Sequence, residues 1–155
     1  MKDLLNKKAP EFSLPDQSGD IHKLSDYKGK WILIYFYPRD NTPGCTIEAC
    51  TLRDSFPKFS RLKAEVLGVS KDSIESHEKF KAKYKLPFTL LSDDKMEMLK
   101  AYGVWQKKKF LGKEFMGIAR TSFLINPQGK IVKIYEKVKP PVHAEEVLND
   151  LKSLQ

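Results

Sequence analysis

The stretch Trp31-Ile-Leu-Ile-Tyr-Phe-Tyr37, followed by Pro38-Arg-Asp-Asn-Thr-Pro-Gly44 and then Cys45, decides how this chain folds. Its first seven residues are aromatic and β-branched with no polar alternation, the pattern of a strand covered on both faces. The cluster of proline, asparagine and glycine that follows reads as a loop. Beyond it, Ala49, Leu52, Phe56, Phe59 and Leu62 recur on one helical stripe. Pro57 lies inside that stripe, so a kink or a break is expected there. A buried strand, a short loop and a helix that begins at a cysteine form one βα unit.

The same rhythm extends in both directions. Phe12 to Leu24 reads as two short strands, an N-terminal hairpin around the turn-rich Pro15-Asp-Gln-Ser-Gly-Asp20. Glu65 to Ser70 is a short buried strand. Asp72 with Glu75 resembles a capping box opening a helix through Ile74, Phe80 and Tyr84. Phe88 to Leu91 is a strand, and Lys95 to Tyr102 a short helix stopped by Gly103. Thr121 to Ile125 and Lys130 to Tyr135 pair across Asn126-Pro-Gln-Gly129, and Val142 to Leu154 closes the chain as an amphipathic helix. The expected fold is α/β, a three-layer domain over residues 1–155 with a central mixed sheet and helices on both faces.

Composition narrows the function. At 155 residues and 17.9 kDa, the chain suits one domain able to bury a real core. Two cysteines are too few for a secreted disulfide framework. No apolar run approaches the roughly 20 residues of a spanning helix, and Met1 to Lys8 lacks the apolar core of a secretory signal. A cytoplasmic setting, with no membrane partner, is expected. The formal charge is +8, concentrated between Trp105 and Lys139, where nine basic residues meet two acidic ones. Aromatic residues interleave with those lysines, but no groove-entering motif accompanies them, and a solvated basic face is the simpler account. Nucleic-acid binding is therefore not expected.

Cys45 stands at the helix N-terminus, where unpaired N–H groups and the dipole stabilise a thiolate; such cysteines fall from about 8.5 toward about 3.5–7.5 in pKa. Pro43 suits the first helical turn, Gly44 lets a small ligand approach the backbone, and Thr42 brings a hydroxyl. A small buried hydrophobe is the bland alternative for such a cysteine. Cys50 lies five residues on, about 140° around the helix and about 7.5 Å along it. Their Cα atoms are then about 8–9 Å apart, beyond the roughly 4.4–6.8 Å that a disulfide spans. Either the two never pair, or the first helical turns unwind to let them. Three scattered histidines and two cysteines show no metal-ligand spacing, so no metal is expected. Arg120, ahead of the apolar run Thr-Ser-Phe-Leu-Ile, could favour a thiolate and grip a polar substrate, could pair with a helix acid such as Glu48, or both.

Phe36-Tyr-Pro-Arg-Asp-Asn-Thr-Pro-Gly-Cys-Thr-Ile-Glu-Ala-Cys50 resembles the peroxiredoxins, and most of all their Q-type or bacterioferritin comigratory branch. Pro38, Thr42 and Cys45 meet the family's Pro-x-x-x-Thr-x-x-Cys pattern, Cys50 its second cysteine, and Arg120 its active-site arginine. The resemblance implies a thioredoxin-like fold and a thiol peroxidase acting on hydrogen peroxide and organic hydroperoxides, with no cofactor. It implies that Cys45 attacks peroxide as a thiolate open to small oxidants and becomes a sulfenic acid. Thr42, Gly44 and Arg120 would hold the substrate and Pro38 would shield the sulfur. Cys50 would resolve the sulfenic acid as an intramolecular disulfide, and thioredoxin or a similar dithiol protein would reduce it. It also suggests a monomer. Two other readings compete: a thiol–disulfide oxidoreductase on the same fold, against which the five-residue spacing speaks, and a basic binding module with incidental cysteines.

Overall fold

The computed structural model describes residues 1–155. Its centre is a five-stranded sheet built from β3 (Trp31–Phe36), β4 (Ala64–Ser70), β5 (Thr89–Ser92), β8 (Thr121–Ile125) and β9 (Ile131–Tyr135), in the order β5-β4-β3-β8-β9. β3 runs parallel to β4 and β4 to β5, while β8 is antiparallel to both β3 and β9. The expected mixed sheet is present. β3 is its middle strand, which is why Ile32 to Phe36 are all aliphatic or aromatic: both faces and both edges are covered.

Two apolar layers sandwich this sheet. Leu33, Tyr35 and Tyr37 point to one side, where α1 (Pro43–Arg61) and α4 (His143–Leu154) pack through Ala49, Leu52, Phe59, Val147 and Leu151, joined by Phe80 of α2 (Ile74–Tyr84). Ile32, Ile34 and Phe36 point to the other, against Met98 and Leu99 of the short α3 (Glu97–Ala101) and against the N-terminal segment through Ala9, Phe12, Leu24 and Tyr27. The strict period of two along β3 sorts its side chains between the two layers. Gly68 of β4 permits the first layer to close: a Cβ there would lie 2.8 Å from Leu90 and 2.9 Å from the Tyr35 ring.

The N-terminal hairpin forms as β1 (Ser13–Pro15) against β2 (Ile21–Lys23). Two local expectations are revised, and one element appears where none was expected. α1 runs through Pro57 without a break, because buried Leu52 and Phe59 on either side pin it to the sheet. The cap of α2 is Ser73, whose hydroxyl accepts the Ser76 N–H at 3.1 Å. Asp72 instead takes the Asp40 N–H and the Ser70 hydroxyl. Residues 105–118, for which the pattern offers no element, form an antiparallel hairpin of β6 (Trp105–Phe110) and β7 (Lys113–Ile118). Its turn places Leu111 and Gly112 both at positive φ, +51° and +79°. Leucine is a poor choice for that geometry, so the turn leaves no signal in the sequence.

Candidate active site

Strand register assembles this site. Phe36, the last residue of β3, pairs with Thr121, the first of β8. Arg120, one residue earlier, is therefore delivered to the end of β3 from which the Pro38–Gly44 loop departs. The loop turns through Asn41 at φ +63° and enters α1 with Thr42 as N-cap and Pro43 at the first helical position. Thr46 is the first residue to donate a helical bond, to the Thr42 carbonyl at 2.9 Å. The N–H groups of Gly44 and Cys45 precede it and point out of the helix end.

Arg120 meets Cys45 among the candidate residues, and Glu48 beside it. Its Nη2 donates to the Cys45 sulfur at 3.2 Å and its Nη1 to Glu48 Oε1 at 2.7 Å. The sequence allowed Arg120 to face the cysteine, to pair with Glu48, or both; the guanidinium fork reaches both atoms. Gly44 packs closely under the same contact: a Cβ at that position would sit 3.1 Å from Nη2. The Thr42 hydroxyl donates to the Arg39 carbonyl at 2.9 Å, which leaves its lone pairs free to accept from a ligand. Pro38 is half-buried at the head of the loop. Cys50 is half-buried farther along the intact α1, and both thiols are free.

The sulfur is more enclosed than an oxidant-accessible thiol leads one to expect. Cys45 is 1% exposed, while the Arg120 side chain beside it retains 19%. Burial pushes the Glu48 carboxyl up to about 7, against the opposing pull of Arg120. Despite the desolvation of the guanidinium, Cys45 and Glu48 hold Arg120 above its ordinary value. Lys108, from β6, is lowered by burial and by the nearby Arg120 charge. Two buried oxygens here, Glu48 Oε2 and the Tyr35 hydroxyl, have no partner.

A second polar cluster escaped the sequence reading. Asp40, Asp72 and His77 place potential ligand atoms within 4.8 Å of one another. They come from the loop, the β4–α2 turn and α2, and their spacings of 32 and 5 residues match no ligand motif. The Asp40 carboxylate and the His77 ring are engaged with each other at 2.7 Å. No helix of the structure is long and apolar enough to cross a membrane.

Comparison with known proteins agrees with this geometry. Residues 5–134 match the model of the AhpC/TSA family. The chain is 51% identical over 150 residues to peroxiredoxin Bcp of Bacillus subtilis, covering 97% of this chain and 96% of that protein. It is 46% identical over 144 residues to peroxiredoxin Bcp of Escherichia coli K12, covering 93% and 92%. Among solved structures, peroxiredoxin Q of Xanthomonas campestris superposes with a TM-score of 0.87 at 40% identity, covering 92% and 90% of the two chains. BcpB of Mycobacterium tuberculosis superposes at 0.86 with 31% identity over 97% of each. These neighbours share the thioredoxin fold, and the chain belongs to the AhpC/TSA family as a Bcp-type peroxiredoxin, a thiol peroxidase.

Proposed function

We propose that Cys45 is the sulfur that reacts with peroxide, Cys50 the one that resolves it, and thioredoxin or a similar dithiol protein the reductant. The observation that carries the assignment is the 3.2 Å contact from Arg120 Nη2 to the Cys45 sulfur at the N-terminus of α1. A guanidinium N–H and a helix end converge there on one atom, and both favour negative charge on it.

The Cys45 thiolate attacks the nearer peroxide oxygen along the O–O axis. The sulfur lone pair forms an S–O bond, the O–O bond breaks, and the leaving oxygen departs as alkoxide or hydroxide and takes a proton. Arg120 and the Gly44 and Cys45 N–H groups face the charge as it moves onto oxygen. The Thr42 hydroxyl, its hydrogen committed to Arg39, accepts from the peroxide O–H and orients it. Pro38 helps keep bulk water from the sulfur. Cys45 is left as a sulfenic acid. Cys50 then displaces its hydroxyl as water and forms the disulfide, which requires α1 to unwind between the two cysteines. Dithiol exchange returns both thiols. The cycle needs a reducing compartment, in keeping with a cytoplasmic setting, and one chain carries every group named, in keeping with a monomer.

Cys45→Ser tests the assignment. Peroxide consumption is expected to disappear in that variant, and turnover equal to the parent would remove Cys45 from the role.

A further inference from the structure

Asp40 sits in the loop between Pro38 and Thr42, yet none of its hydrogen bonds goes to Cys45. Its side chain is 2% exposed and accepts three times: from the Tyr37 hydroxyl at 2.6 Å, the Ser76 hydroxyl at 2.8 Å and His77 Nδ1 at 2.7 Å. Its own N–H donates to Asp72 Oδ2 at 2.9 Å, and the Ser70 hydroxyl braces that oxygen at 2.7 Å. The other ring nitrogen of His77 settles the proton count. Nε2 faces the Leu91 carbonyl at 2.9 Å, and a carbonyl only accepts, so Nε2 carries hydrogen. The 2.7 Å approach of Nδ1 to Asp40 then needs one further proton between them. The pair is neutral overall and lies in a fully desolvated site, where removing either partner strands the other.

Tyr37, Ser70, Ser76 and His77 together tie one loop residue to the end of β3, the end of β4 and the start of α2. Two residues later comes Thr42, and three after that Cys45. Within the loop the remaining side-chain tie is the Thr42 bond to Arg39. We propose that His77 and Asp40 are positioning residues for peroxide reduction: their buried pair fixes the loop so that the Thr42 hydroxyl and the Gly44 and Cys45 N–H groups meet at the oxygen Cys45 attacks. This inference rests on Cys45 being the attacking sulfur. It separates the reaction into two dependences. Sulfur reactivity as such follows Arg120 and the helix end, whereas the peroxide cradle follows His77, which touches none of the reacting atoms.

Two isosteric variants isolate the contact. The His77→Gln amide reaches the Nε2 position and keeps the Leu91 bond but offers nothing to Asp40. The His77→Asn amide does the reverse. In stopped-flow oxidation by hydrogen peroxide, normalised to folded protein by circular dichroism, the Gln variant is expected to lose at least about tenfold in rate, since an ångström of misplacement costs up to about a hundredfold. Alkylation of the same sulfur by iodoacetamide is expected to change less than about threefold, and the Asn variant to oxidise within about threefold of the parent. Equal losses in both variants, or alkylation falling in step with oxidation, would overturn the proposal. If the Gln variant does not fold, Ser76→Ala removes a more accessible donor to Asp40; slower oxidation with unchanged alkylation supports the clamp, and an unchanged oxidation rate overturns it. Cys45→Ser run alongside separates the two assignments: peroxide consumption by that variant defeats the reading of the sulfur, whereas a dead Cys45→Ser with a fully active His77→Gln defeats the clamp alone.

Discussion

Glu48, itself without solvent exposure, accepts a 2.7 Å hydrogen bond from Arg120 one helical turn beyond the cysteine that the same guanidinium contacts. Arg120 thus has two claimants for its charge, and the carboxyl among them is pushed up to about 7 by burial. Below that pH a neutral Glu48 draws less on the guanidinium; above it the Glu48 carboxylate competes for its charge.

Glu48→Gln is expected to keep the Arg120 geometry, because the amide oxygen still accepts, and to raise the rate of Cys45 oxidation at pH 8 by about threefold to tenfold. The gain should vanish by pH 6. Stopped-flow pH profiles of the two proteins would show this, and parallel profiles would refute it.

The same substitution changes stability with pH. A carboxyl raised from 4.5 to about 7 on folding binds its proton more tightly in the native state. The associated stabilisation is fully present below pH 4.5 and is lost as pH rises to about 7. The parent should therefore lose up to about 3 kcal/mol across that window that Glu48→Gln does not lose. Urea midpoints at pH 5 and pH 8 for both proteins check the difference.

Gly44→Ala separates helix stability from chemistry. Alanine favours the helix by up to about 1 kcal/mol, yet its Cβ would crowd Arg120 Nη2 at 3.1 Å. Peroxide oxidation is expected to drop about tenfold or more while the melting temperature holds or rises. A variant that both reacts and melts like the parent would contradict the close packing of Gly44 on Arg120.

Disulfide formation should report on what pins α1. Arg53 Nη1 donates to the Tyr84 carbonyl at 2.8 Å, three residues beyond Cys50. Arg53→Ala is expected to hasten closure of the Cys45–Cys50 disulfide about threefold, the scale of one half-exposed bond, without altering the first oxidation step. In Cys50→Ser, one equivalent of peroxide is expected to be consumed and recycling by thioredoxin to be lost. Amide exchange over residues 45–55 should quicken in the oxidised parent, and quenched mass spectrometry resolves each step.

Access follows size. Cys45 is 1% exposed and Cys50 is half-buried, so a bulky aromatic disulfide reagent should label Cys50 first, the reverse of the order expected with peroxide. Peptide mapping after a short pulse distinguishes the order.

Much of this was legible in the residues themselves. The apolar run Trp31–Tyr37, the Pro38–Gly44 loop and the cysteine at the helix start are neighbours in sequence, and short-range periodicity and turn chemistry suffice to read them. The five-residue interval between the cysteines is likewise a local quantity, and an intact α1 keeps them on one helix as helical arithmetic requires. The β6–β7 hairpin was not legible, since its turn rests on a leucine at positive φ and its strands turn little of their surface to the core.

Only the tertiary structure could decide which distant groups attend the sulfur. That Arg120 divides itself between Cys45 and Glu48 depends on the β3–β8 register, 75 residues apart along the chain. That Asp40 meets His77 at 2.7 Å depends on where α2 lies against the loop. Spacing along a chain encodes contacts within one strand, turn or helix, where backbone geometry alone relates residue number to distance. Between elements that relation is made by packing and sheet register, and the enclosure of Cys45, the suppressed ionisation of Glu48 and the buried pairing of Asp40 with His77 all arise there.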